Sequence, residues 1–170
     1  MEKMEVVKKS KQALNKAVLK LKRGEVIICP TDTVYGFLAD AKNKKAVNKI
    51  FKIKKRLKSK LLPVFIKDIK MAKELVFIDK QQETFLRKNW PGKITVILKR
   101  KTGIKIYGVD KNTIAMRIPK YKFLNNLLKK INKPLVQTSV NISGEPPLTK
   151  IGNIIEKFKN NKLQPDLVID

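Results

Sequence analysis

Three short stretches concentrate the side chains able to bind or react: "PTDTVYG" at 30–36, "KIKKRLKSK" at 52–60 and "TSVNISGEPP" at 138–147. The first places Thr31, Asp32, Thr33 and Tyr35 directly after the apolar run "EVIIC". Hydroxyls beside a buried strand need partners, which a small polar ligand or an Asx-type turn would supply. The last carries Ser139, Asn141 and Ser143 at alternate positions ahead of Gly144. Short donors can converge there while glycine lets a ligand approach the backbone, although an ordinary Ser/Asn/Gly turn has the same composition. The middle stretch offers cations that suit phosphate or carboxylate, or a solvated helix end favoured by the helix dipole. The chain has no histidine. Proton transfer must therefore fall to carboxylates, lysines, hydroxyls or the substrate itself, and the usual metal ligand is missing.

The formal net charge is +26, from 40 basic against 14 acidic residues. Such a field attracts polyanions, nucleotides or RNA alike. The excess is mostly lysine, which a solubilising surface or an A/T-biased coding sequence would also produce. Arginine occurs only at 23, 56, 87, 100 and 117. Its planar, bidentate fork cannot be imitated by lysine, so Arg56 and Arg117 stand out within the polar motifs. A single cysteine, Cys29, excludes a disulfide framework and a cysteine zinc site, and points to a reducing compartment. The charged N-terminus has no signal-peptide core and no apolar run reaches membrane-spanning length, so a soluble, cytoplasmic protein is expected.

The elements that must position these residues alternate along the chain. Apolar spacing predicts helices over 8–22 and 44–54, helical pieces within 71–90, and a helix over 121–131. "EVIIC", "LLPVFIKD", "KITVILKR", "TIAMRIP" and "PLVQTS" read as strands, with "NISGEPPL" as a loop. Neither a repeat nor a linker interrupts them, so one α/β domain is expected over 1–170, without an additional C-terminal domain. Gly-x-Gly-x-x-Gly and Gly-Lys-Ser/Thr phosphate loops are absent, so a nucleotide site would be built differently.

The order and spacing of "PTDTVYG", "KIKKR", "WPGKITVIL", "AMRIP" and "TSVNISGEPP" resemble the YrdC/TsaC family of threonylcarbamoyl-adenylate synthases over about residues 10–170. The resemblance implies a twisted, mixed α/β sheet with flanking helices and a basic concave cavity. It implies synthesis of threonylcarbamoyl-AMP and pyrophosphate from L-threonine, bicarbonate and ATP, for N6-threonylcarbamoyladenosine at position 37 of tRNA. By the same resemblance, Thr33 and Arg117 contact L-threonine, with Thr31 and Tyr35 shaping the same wall. Lys54 and Arg56 form the catalytic Lys-x-Arg pair, Arg56 also meeting ATP. Lys60, Thr113, Ser139, Asn141 and Ser143 contact ATP. Mg2+ is expected to arrive on the ATP phosphates, with no permanently bound cofactor and no protein metal cage. Downstream threonylcarbamoyl-transfer proteins are the implied partners.

Two residues depart from the family pattern: Phe65 stands where many relatives have a histidine touching threonine, and Leu61 replaces a common proline. The C-terminus also ends at "PDLVID", where many relatives continue into a further strand. Two other readings compete. A non-catalytic double-stranded RNA or tRNA-binding module would use the charge, with salt-sensitive RNA affinity and no ATP turnover; under the synthase reading any RNA binding is expected to be weak, for want of aromatic stacking residues. A carbamoyl-transfer segment like that of hydrogenase-maturation proteins would need zinc-binding cysteine clusters, which this chain lacks.

Overall fold

The computed structural model describes residues 4–170. In chain order the elements are β1 (Glu5–Val7), α1 (Lys11–Lys22), β2 (Ile27–Cys29), β3 (Gly36–Asp40), α2 (Lys44–Ile53), β4 (Val64–Phe65), α3 (Ile69–Leu75), α4 (Lys80–Asn89), β5 (Val96–Lys99), β6 (Thr113–Arg117), α5 (Lys122–Ile131), β7 (Leu135–Ser139), α6 (Ile151–Phe158) and β8 (Leu167–Ile169). The strands form one mixed sheet in the order β1-β8-β2-β3-β7-β4-β6-β5. β1, β8 and β2 run parallel; β2–β3, β3–β7, β7–β4 and β6–β5 are antiparallel; β4 and β6 are parallel. This is the twisted, mixed α/β sheet with helices on both faces that the sequence led us to expect.

Helix boundaries follow local chemistry. Ser10 accepts a hydrogen bond from the Ala13 amide, Asn43 from Ala46 and Asp68 from Met71, each satisfying an otherwise orphaned N-terminal donor. Asp79 and Gln82 form a reciprocal capping box. Ser10 explains why α1 begins at residue 11 rather than 8: residues 5–7 are extended and pair with β8. The stretch "LLPVFIKD" yields only the two-residue β4. Pro63 has no amide proton to contribute to a ladder, and its carbonyl instead accepts from Gln137.

Because side chains alternate across a strand, the sheet has two distinct faces. On one, Ile28, Phe37, Val64, Ile114, Met116 and Val136 pack with α2, α3 and α6 residues in the larger core. On the other, Ile27, Leu38, Phe65, Leu135 and Leu167 pack under α1 and α5. In α5, Leu124, Leu127, Leu128 and Ile131 supply the apolar stripe at i, i+3, i+4 and i+7. Those two helices leave part of their face open. Pro63, Thr113 and Ala115 are only half-buried there, and Ile97, which pairs with Ala115, is 69% exposed.

Candidate active site

The open part of the sheet face carries polar residues of two strands. Thr113, Ala115 and Arg117 alternate along β6 toward it, and Gln137 and Ser139 follow Leu135 on the same face of β7. Residues 30–35 form the hairpin loop joining β2 to β3, closed by the Cys29–Gly36 pair, with Gly36 also opposite Ser139. The Val140 amide donates to the Tyr35 carbonyl at 3.0 Å, joining this loop to the turn after β7.

Within the loop, Thr31 Oγ1 donates to the Val34 carbonyl at 2.7 Å, accepts from the Thr33 amide at 3.1 Å and lies 3.0 Å from Thr33 Oγ1. The turn chemistry read from the sequence is therefore present, and it leaves Thr33 exposed at the loop surface. Tyr35 donates its hydroxyl to Asp170 Oδ1 at 2.9 Å. Burial, reinforced by that carboxylate, pushes the phenol up to about 12, so it remains a proton donor at neutral pH. Asp32 binds Arg117: both carboxylate oxygens accept from Nη1, at 2.8 and 2.9 Å, and Oδ2 also accepts from the Lys120 amide at 2.9 Å. Their side chains are 6% and 5% exposed. By register Arg117 lies opposite Phe65, which faces Leu135 at the far end of β7 from Ser139, so the hydroxyl loop folds back over the sheet face to reach it.

Phe65 takes no exposed position in this wall. It is buried, and its ring lies 4.8 Å beneath the Arg117 guanidinium carbon, within cation–π range. Where a histidine would offer a polar nitrogen, this chain offers a flat apolar support.

Lys54 closes α2 as its C-cap residue and is only 1% exposed. Its ammonium donates to the Ser139 and Asn141 carbonyls and to Asn141 Oδ1. Ser139 Oγ donates to the same Oδ1 at 2.9 Å, Asn141 Nδ2 donates to the Glu145 carbonyl at 2.6 Å, and the Ser143 amide donates to the Lys54 carbonyl at 2.8 Å. Lysine and turn are thus one hydrogen-bonded unit, with Gly144 following at φ +93°, a conformation that favours glycine. Burial, then the neighbouring Arg56 charge, lowers the Lys54 ammonium to about 8. The three oxygens around it keep the charged form in place at neutral pH.

Arg56 is half-buried and donates from Nε to the Lys60 carbonyl at 2.7 Å and from Nη2 to the Leu61 carbonyl at 3.0 Å, folding the 56–61 segment around its own guanidinium. Lys60 is exposed. Leu61, Pro63, Ile97, Asp110, Thr113 and Ala115 line a largely apolar cavity of about 340 Å³ on the open face. Asp110 fixes its rim: Oδ1 accepts from the Asn112 and Thr113 amides and the Thr113 hydroxyl, and these bonds, the Asn112 amide foremost, hold the carboxyl below its usual range. A larger hollow of about 510 Å³ lies on the opposite side, between the end of α2 and α6. It is lined by Lys52, Ile53, Lys55, Ile142 and Glu145 of two of the quoted stretches, but by none of the nine residues expected to act.

The nine residues expected to act fall into three local groups: Thr33 in the loop whose Asp32 pairs with Arg117; Lys54, at the end of α2 with its ammonium 5.6 Å from the Phe37 ring, joined to Ser139, Asn141 and Ser143; and Arg56 bonded to the carbonyls of Lys60 and of Leu61, which lines the cavity holding Thr113. Sequence reading missed Asp32 as a structural partner of Arg117, although its place between two threonines was a signal. It also missed Asp110, which only proximity to Thr113 would have suggested.

The family model Sua5_yciO_yrdC, described as "Telomere recombination", matches residues 19–170. The chain belongs to the Sua5/YciO/YrdC family. It is 36% identical over 163 residues to a Methanocaldococcus jannaschii protein named "Putative threonylcarbamoyl-AMP synthase", covering 96% of this chain and 74% of that one. It is 32% identical over 149 residues to the threonylcarbamoyl-AMP synthase of Pseudoalteromonas atlantica, covering 84% and 79%. Pyrococcus abyssi Sua5, 26% identical, superimposes with a TM-score of 0.89 as a double variant and 0.85 in its complex with L-threonine, covering 98% of this chain in both. The chain spans about half of that Sua5, 52% and 49% in the two structures.

Proposed function

We propose that the chain is an L-threonylcarbamoyl-AMP synthase, a nucleotidyltransferase that converts L-threonine, bicarbonate and ATP to threonylcarbamoyl-AMP and pyrophosphate. The observation that supports this reading is family membership with curated relatives that bear that activity as their name, together with two motif contacts across the sequence, Asp32 with Arg117 and Lys54 with Asn141. The threonine complex of Pyrococcus abyssi Sua5 supports threonine as the amino acid.

The chemistry suits a site without histidine. Bicarbonate supplies CO2 by losing hydroxide, and the threonine amine nitrogen forms a bond to its carbon and releases a proton, leaving a carbamate. A carbamate oxygen then attacks the α-phosphorus of ATP, and the bond to the β-phosphate bridging oxygen breaks to release pyrophosphate. Every participant is anionic, so the protein's task is to hold like charges together and neutralise charge developing on the phosphoryl oxygens. Arg117 would take the threonine carboxylate, with Thr33 at the amino-acid end. The Ser139–Ser143 turn, held by Lys54, would receive phosphates, joined by Arg56 and Lys60, and the apolar cavity beside Thr113 would accept the base. Lys54 spends its three protons on the turn, so its contribution is to shape the phosphate cradle. The described residues contain no group of three or more His, Cys, Asp or Glu that could hold a metal ion, so Mg2+ would enter on the ATP phosphates.

The product would pass to threonylcarbamoyl-transfer proteins acting on tRNA in the cytoplasm. Among the described residues no helix is long and apolar enough to cross a membrane. Incubation with ATP, bicarbonate and labelled threonine is expected to yield threonylcarbamoyl-AMP by mass, with one pyrophosphate released per product. tRNA binding that falls about a thousandfold or more between roughly 50 and 200 mM salt, without threonine-dependent pyrophosphate release, would favour the RNA-binding module instead.

A further inference from the structure

Arg117 is held unusually completely for a residue expected to receive a ligand. Phe65 supports its guanidinium from one side at 4.8 Å. Among the described residues all its polar contacts run through Nη1: Asp32 Oδ1 at 2.8 Å, Asp32 Oδ2 at 2.9 Å and the Gly92 carbonyl at 3.3 Å. Asp32 is itself fixed by the Lys120 amide at 2.9 Å. Nε and Nη2 have no hydrogen-bond partner among the described residues, and neither is a sealed, unsatisfied atom. A guanidinium can bind a carboxylate in a fork through its Nε and Nη2 hydrogens. The internal carboxylate has therefore taken the one nitrogen that this fork does not use.

We propose that Asp32 is a positioning residue for substrate recognition: by chelating Nη1 it locks the Arg117 plane against Phe65 and presents the Nε–Nη2 edge to the carboxylate of an incoming amino acid. The inference rests on the reading of Arg117 as the threonine-carboxylate clamp. Fixing the fork beforehand removes the rotamer entropy a free arginine would lose on binding, which favours affinity. The same ion pair ties the hydroxyl loop to β6, so the Thr33 hydroxyl and the free arginine edge are placed by one contact. A competing role would have the opposite sign: a carboxylate that merely occupied Arg117 would be displaced by substrate, and its removal would tighten binding.

Titration calorimetry with L-threonine and L-threoninamide separates these cases, since the amide lacks the carboxylate. Wild-type protein is expected to prefer threonine by tenfold or more; equal affinity for both would overturn the clamp reading itself. Given that preference, Asp32→Asn is expected to weaken threonine binding about tenfold while leaving threoninamide within about twofold, which isolates the carboxylate subsite. In turnover the threonine KM should rise with the ATP KM little changed. Unchanged or tighter threonine binding, or an equal loss for both ligands, overturns the proposal. Phe65→Leu, which loosens the guanidinium from below with Asp32 in place, is the second variant. It is expected to lower the threonine-to-threoninamide ratio about threefold, and an unaltered ratio in a folded protein would show that the setting of Arg117 does not govern affinity.

Discussion

The Lys54 ammonium and Asn141 are locked together twice, Nζ lying 2.6 Å from Oδ1 and 3.1 Å from the main-chain carbonyl of the same residue. This contact ties the end of α2 to the turn after β7. Lys54→Met would retain most of the buried stem but strand the turn oxygens without their donor. We predict a loss of stability of about 1.5–3 kcal/mol, the worth of a charge-assisted hydrogen bond, and at least a tenfold loss of ATP affinity. Denaturant titration and calorimetry check the two effects separately.

The same lysine predicts a pH dependence. With its proton lost near pH 8, the turn loses one donor, so threonine-dependent pyrophosphate release should decline as pH rises through about 8. The sign for stability is opposite. The folded value lies below the ordinary 10.5 of an unfolded lysine, so between about pH 8 and 10.5 the unfolded chain binds more protons and this group's contribution to stability rises with pH. Activity falling above pH 8 with no matching drop in melting temperature is the expected pattern.

Arg56→Lys keeps the charge and should still lower adylate formation by about tenfold or more. One planar group now reaches both the Lys60 and Leu61 carbonyls, and an ammonium on a flexible stem cannot hold that segment while also facing phosphate. Steady-state rates at saturating ATP measure it, and near-normal turnover would remove Arg56 from the site.

Ser139→Ala and Ser143→Ala should differ. Ser139 Oγ donates within the turn, whereas the described contacts of Ser143 run through its amide. We expect both to weaken ATP binding by about ten- to a hundredfold, the value of a hydrogen bond to a charged group, and only Ser139→Ala to lower the melting temperature measurably.

Gly108 should tolerate no side chain. Its φ is +75°, and an added Cβ would lie 2.8 Å from Val47 Cγ1 and 3.3 Å from Leu62 Cδ1, while its carbonyl accepts from the Leu62 amide at 2.7 Å. Gly108→Ala combines left-handed strain of about 1–2 kcal/mol with overpacking of about 1–3 kcal/mol. Calorimetric melting is expected to fall by roughly 4 °C or more.

Residue spacing made β5, β6, β7, α1, α2 and α5 legible, because burial on one face writes itself into the period, and β2 was legible as a short continuous apolar run. β3 carries no alternation: all five residues from Gly36 to Asp40 are buried, so a period-2 signal has nothing polar to alternate with. α6 contains Gly152, and its N-cap, Lys150, makes no side-chain capping hydrogen bond, which removes both start signal and propensity. β1 and β8 are three residues each and gain their identity only from each other and from β2. At the site, residue types announced the motifs, but the Asp32–Arg117 pair spans 85 residues of sequence and was invisible until the sheet brought it together. Likewise, Lys54 reads as one lysine among many until burial distinguishes it.

The position of β8 between β1 and β2 sets an order on how the molecule can be assembled. Glu5–Val7 can find their parallel partners only once Leu167–Ile169 exist, so β1 waits for β8 before it can dock. Pairing across that much chain is slow relative to local helix formation. Vectorial synthesis therefore lets the β2–β3 hairpin and the helices between form early, while the β1 edge closes only after β8 has emerged.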